Sequence, residues 1–216
     1  MLEEDLRRSP VCLTVPGLGG SGPGHWQTLW EKERHDCERI ELGCWDEPIR
    51  NVWISRIDQA VGAAQAPVVL VAHSLGCLAV AWWASLLGEA AAGPVKGALL
   101  VAPPDVNRAS DARLGRFGPC PRTILPFPSI VVASHDDPYS SFERSREMAS
   151  DWLSDFVDAG EVGHINAQSG LGAWTDGQHL LELLIDGGPG LSRYPSALAP
   201  SAWKPRAAAM RPALGA

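Results

Sequence analysis

Residues 68–77 read V-V-L-V-A-H-S-L-G-C, inside a run from Ala60 to Gly88 that contains no Asp, Glu, Lys or Arg. A run of that length is long enough to cross a bilayer, but its two halves differ in texture. Val68, Val69 and Val71 crowd before His73-Ser74, whereas Leu75 to Leu87 is built mainly from Leu, Ala and Trp. The β-branched half suits a strand buried on both faces, and the second half suits a helix that is apolar nearly all round. Pro67 marks where the strand begins, and Gly88 with Gly93-Pro94 marks where the helix ends. The stretch therefore predicts a buried strand, a turn carrying His73 and Ser74, and a buried helix, with no membrane span.

The same alternation recurs outward in both directions. Strands are predicted at 11–15, 39–42, 95–101, 129–134 and 156–159, and helices at 26–32, 52–64, 75–87, 142–153 and 177–185. Strands separated by helices, with little room for hairpins, predict an α/β domain with a doubly wound, mostly parallel sheet. In such sheets ligands sit beyond the carboxyl ends of the strands. Pro16–Gly20, His73-Ser74, His135–Asp137 and Gly163–Asn166 each follow a predicted strand, so they are expected to converge on one edge. The S-x-x-E of Ser140 to Glu143 reads as a capping box opening a helix whose apolar residues are Phe142, Ala149, Trp152, Leu153 and Phe156. Residues 105–127 lack a period and read as an irregular loop across that edge, with at most one helical turn, placed to roof a pocket.

The 216 residues are 45% hydrophobic and 20% charged, a globular composition with room for one sizeable core. The net charge of −7 gives no electrostatic case for nucleic acid as a partner. M-L-E-E-D-L-R-R lacks the apolar stretch of a secretory signal, so a cytoplasmic location is expected. Cysteines 12, 37, 44, 77 and 120 show no C-x-x-C, and the histidines show no H-E-x-x-H. Neither a disulfide framework nor a metal is predicted, Cys12 and Cys77 read as buried thiols, and no cofactor is expected. From Gly187 onward there are 5 Pro, 4 Gly and 8 Ala, with four basic residues and no acidic one. That composition predicts a flexible basic tail over 187–216 beside a folded domain over 1–186.

Ala72-His73-Ser74-Leu75-Gly76 is an A-x-S-x-G form of the nucleophile elbow, where a serine sits on a strained strand-to-helix turn. Ala72 and Gly76 must be small because the turn brings the two backbones close. A serine here can also merely cap the helix. The elbow reading needs a base and a carboxylate in the order Ser, Asp, His. His164 follows the last predicted strand. His73 is expected to point away from the site, His35 and His179 to lie on helices away from the edge, and His135 to belong to the acid loop. Asp137 is preferred over Asp136, since Pro138 holds it extended, and Asp136 reads as a turn former. The glycine loop Pro16–Gly22 lacks G-K-[ST] and G-x-G-x-x-G, so it reads as an oxyanion loop. The backbone N–H groups of Leu18 and Leu75 are the expected donors, with Gly17 and His25 at the substrate. Trp26 and Trp30, at i and i+4, read as a packing pair.

Val15-Pro16-Gly17-Leu18-Gly19, His25-Trp26-Gln27, Ala72-His73-Ser74-Leu75-Gly76, Asp136-Asp137-Pro138-Tyr139 and Gly163-His164-Ile165-Asn166 together resemble the small α/β-hydrolases of the retinoblastoma-binding protein nine type. The resemblance spans roughly residues 10–186. It implies a compact α/β-hydrolase without a large cap domain and a serine hydrolase with Ser74, Asp137 and His164 as its triad. The expected activity is cleavage of a small ester, thioester or amide through an acyl-enzyme. The alternative is a protein-binding module on a hydrolase scaffold with little turnover.

Overall fold

The computed structural model describes residues 9–187. Six strands, Val11–Val15 (β1), Cys37–Arg39 (β2), Val68–His73 (β3), Val95–Val101 (β4), Ser129–Ala133 (β5) and Asp155–Asp158 (β6), form one sheet in the order β2-β1-β3-β4-β5-β6. Every pairing is parallel. The helices are Trp26–Glu33 (α1), Arg50–Ala63 (α2), Leu75–Leu87 (α3), Ala112–Gly115 (α4), Phe142–Trp152 (α5) and Thr175–Ile185 (α6). The architecture is the predicted doubly wound α/β fold, with no large cap domain among the described residues. None of the described helices is long and apolar enough to cross a membrane.

All six residues of β3 are buried, which explains its continuous apolar run. Successive side chains of a strand face opposite sides, and β3 feeds two cores accordingly. Val68, Leu70 and Ala72 join the core shared with α2, α3 and α5. Val69 and Val71 join Trp26 and Trp30 of α1 and Leu180, Leu181 and Leu184 of α6 on the other face. From β1 the chain runs outward to β2, and from β3 it runs the other way to β6. Strand order thus reverses between β1 and β3, and a ligand crevice belongs at the carboxyl ends of those two strands. The glycine loop follows β1, and Ser74 follows β3.

Several boundaries differ from the sequence reading. β2 lies at 37–39 and not 39–42; Ile40 and Leu42, whose apolar character suggested the later position, are core residues just past its end. α2 begins at Arg50 and α6 at Thr175, two residues earlier than expected in each case. Ser141, not Ser140, caps α5, accepting the Arg144 N–H at 3.2 Å, while Ser140 is buried and bonded by Ser145 Oγ at 3.1 Å. Leu153 ends α5 in the left-handed conformation and is exposed, and Phe156 lies on β6. His35 sits in the turn after α1, outside the helix.

The segment 105–127 does cross the carboxyl edge, with α4 as its single turn of α-helix. Trp82 Nε1 donates to Phe117 O at 2.6 Å and Trp152 Nε1 to Pro121 O at 2.9 Å, so two indoles, Trp82 half-buried and Trp152 in the core, hold an otherwise irregular loop in place. Residues 188–216, nearly all of the predicted tail, lie outside the described residues.

Candidate active site

Ser74 occupies the turn between β3 and α3 with φ 53° and ψ −125°, a backbone state that non-glycine residues rarely adopt. Its N–H donates to Val101 O at 2.9 Å, and its carbonyl accepts from the Cys77 N–H at 2.9 Å. Its side chain makes no capping bond, so the simple cap reading does not describe it. The small residues around it answer to sterics. A Cβ on Gly76 would collide with the Val15 carbonyl oxygen and stand 2.8 Å from that of Pro16. A Cβ on Gly17 would stand 2.7 Å from Ser74 Cβ and 3.2 Å from Leu75 N.

Three side chains far apart in sequence meet at this turn. Ser74 Oγ lies 2.8 Å from His164 Nε2, and His164 Nδ1 lies 3.0 and 2.9 Å from the two carboxylate oxygens of Asp137. A carboxylate only accepts, so Nδ1 carries the proton and the Nε2 lone pair faces the serine hydroxyl. Asp137 Oδ1 also accepts the Tyr139 N–H at 2.9 Å, which fixes the carboxylate. The side chains of His164 and Asp137 are 9% and 4% exposed, so little water competes for these bonds. The arrangement can deprotonate a hydroxyl and stabilise the imidazolium that results.

The loop bearing His164 is held on every side. Asp136 Oδ1 accepts from the Gly163 N–H and from Ser134 Oγ, both at 2.7 Å, and Ser134 Oγ accepts the Val162 N–H at 2.9 Å. Trp26 Nε1 donates to Ile165 O at 2.8 Å. Asp136 is therefore more than a turn former: it clasps the acid loop to the histidine loop, and its two donors hold its carboxyl below the usual carboxylate range, the Ser134 hydroxyl foremost. Sequence reasoning missed this clasp; a serine closing the apolar run Ile130–Ala133, Ser134, was its one visible sign. The expectation for His73 is also corrected. Its ring turns toward the site, with Nε2 2.9 Å from His164 O and its centroid 4.9 Å from that of His164. His135 pairs with Asp158 at 2.9 Å, and His179 lies on α6.

A cavity of about 310 Å³ opens over Ser74 and His164, lined by Leu18, His25, Tyr139 and Gln168 and, from the segment around α4, by Asp111, Arg113 and Leu114. Gly19 and Gly20 spend their N–H groups on Trp45 O and Gly17 O, leaving the Leu18 N–H uncommitted beside the serine. The Leu75 N–H, in the first turn of α3, has no carbonyl four residues back within the helix. Gly17 lies behind Ser74 and is not part of the cavity wall. His25 is on the wall but chiefly caps α1: its Nδ1 accepts the Gln27 N–H at 3.2 Å, and its Nε2 is buried without a partner. Trp26 and Trp30 pack at 4.7 Å as expected. Among the described residues no group of three His, Cys, Asp or Glu side chains is placed to hold a metal ion.

A family model described as serine hydrolase matches residues 12–183. Among solved structures, a YdeN-like protein of Pectobacterium atrosepticum is 32% identical with a TM-score of 0.72, the alignment covering 87% of this chain and 97% of that one. The ydeN gene product of B. subtilis aligns at 18% identity and a TM-score of 0.67, over 82% of this chain and 99% of its own. Est1E from Butyrivibrio proteoclasticus aligns at 12% identity and 0.59, over 84% and 91%. At these last two identities the likeness is one of fold. No match was found among curated proteins.

Proposed function

Because the chain belongs to the serine hydrolase family, we propose that it transfers the acyl group of a small ester, thioester or amide to water through an acyl-enzyme on Ser74. His164 takes the Ser74 proton as Oγ attacks the carbonyl carbon, then returns it to the leaving group. Water attacks the acyl-enzyme by the same path in reverse. Asp137 orients the imidazole and stabilises its charged form. The N–H groups of Leu18 and Leu75 receive the oxyanion, and Gly17 seats that loop against the elbow. The observation that carries the reading is the unbroken chain Ser74 Oγ to His164 Nε2 to Asp137, with all contacts between 2.8 and 3.0 Å. The modest cavity, near the lower end for small-molecule sites, favours a small acyl group, with His25 on its wall.

The ordered blocks from Pro16-Gly17 to Gly163-His164 support a closer kinship with the retinoblastoma-binding protein nine type. Five free thiols suit a reducing, cytoplasmic setting. A fluorophosphonate probe tests the central step: wild-type protein is labelled on Ser74 and hydrolyses p-nitrophenyl acetate, and Ser74→Ala does neither while its circular dichroism is unchanged. Turnover persisting in Ser74→Ala defeats the reading. A folded wild type that neither reacts with the probe nor turns over a panel of esters supports the binding module instead.

A further inference from the structure

His73 has no place in the proton path just described, yet it is 5% exposed and sits between two other imidazoles. Its ring centroid is 4.6 Å from that of His25 and 4.9 Å from that of His164. Its Nε2 lies 2.9 Å from the carbonyl oxygen of His164. A carbonyl only accepts, so Nε2 carries the proton and donates it. Burial first, and then the neighbouring His164, hold the ring's pKa well below the ordinary value. The ring therefore donates its hydrogen bond without setting a positive charge against the imidazolium that His164 must become.

This placement matters because His73 is the last residue of β3 and directly precedes Ser74. One side chain thus ties the strand end carrying the nucleophile to the backbone of the residue carrying the base. The tied segment does not hold its own shape: Ile165 has φ 47°, an unfavourable state for a β-branched residue. It stays there because neighbours hold it, His73 on the His164 carbonyl and Trp26 on that of Ile165. We infer that His73 is a positioning residue for hydrolysis, its Nε2–H bond to the His164 carbonyl setting the approach of His164 Nε2 to Ser74 Oγ. The inference rests on the reading of Ser74 as nucleophile and His164 as base.

Three variants of the full chain test it. Glutamine in H73Q carries an amide N–H donor to about the place of the imidazole Nε2. Asparagine in H73N is too short to reach the His164 carbonyl, and H73F keeps the ring but lacks the donor. Active sites are counted with a fluorophosphonate, and kcat per site and KM are measured on p-nitrophenyl acetate. A misplacement of about 1 Å at reacting atoms costs roughly 100-fold, and here the other ties on the loop remain. The expected result is a kcat per site lowered about 10- to 100-fold in H73N and H73F, with KM unchanged and most of kcat restored in H73Q. A merely structural role would lower the number of active sites and leave kcat per site intact. Wild-type kcat per site in H73N, or an H73Q no better than H73N, overturns the inference. If H73F does not fold, the H73Q and H73N pair carries the comparison alone. Turnover surviving in Ser74→Ala overturns the underlying triad instead, so the two failures are distinguishable.

Discussion

Asp137 meets His164 Nδ1 with both carboxylate oxygens, so an asparagine there would offer a donor to that nitrogen and favour the opposite tautomer. Asp137→Asn is expected to lower kcat by about four orders of magnitude with little change in thermal midpoint, as read by ester hydrolysis and a melt. His25 carries a different consequence. Burial, then the Arg39 and His164 charges, push its pKa down to about 4. The unfolded chain, with an ordinary imidazole near 6.5, therefore binds more protons than the folded one between those two values. Stability is full above pH 6.5 and falls on acidification toward pH 4, by on the order of 3 kcal/mol from this residue. Buried His73 acts in the same direction. His25→Asn keeps a good helix cap and is expected to flatten that slope, measured as urea midpoints from pH 7 to pH 4; an unchanged slope removes His25 as its cause.

The junction of β1, its glycine loop, β3 and α3 is where backbone packing meets chemistry. Gly76→Ala drives a methyl into the Val15 and Pro16 carbonyls, and separating the two elements is expected to cost about 1–3 kcal/mol or more, seen as a lowered melting temperature. Gly17→Ala pushes instead on Ser74 Cβ and Leu75 N. Its expected effect is on turnover, a loss of about 100-fold if the Leu18 and Leu75 N–H groups are the proposed oxyanion donors, measured as kcat in protein that still melts cooperatively. The glycines of this loop are not equivalent. Gly19 and Gly20 are held to positive φ, whereas Gly22 has neither a close neighbour nor an unusual backbone angle. The motif alone marks all four alike, because close approach and backbone angle are properties of the folded junction.

For the molecule as a whole, the size of the cavity and the extent of the domain yield the remaining expectation. A cavity of about 310 Å³ whose aliphatic lining is Leu18, Leu114 and Ala167 has little apolar length for a fatty chain. Activity on p-nitrophenyl esters is expected to fall steadily from acetyl to long acyl groups, and a preference for long chains would contradict this. The chain itself determined the element types, the parallel sheet and the residues that meet. Valine crowding before His73-Ser74 and Leu/Ala/Trp after it encode a buried strand and a buried helix through local preference and burial, and the order Ser, Asp, His marks the strand ends whose side chains meet. Element ends such as Cys37–Arg39 were less legible, because Ile40 and Leu42 are buried by packing beyond the ladder and not within it. Asp136, Ser134 and His73 were misjudged or missed for a related reason. Their roles depend on a hydrogen-bond partner up to 91 residues away, and only the closed fold brings that partner within reach. Periodicity reports which face a side chain takes, but the direction of a donor toward one particular carbonyl is fixed only when both backbones are in place.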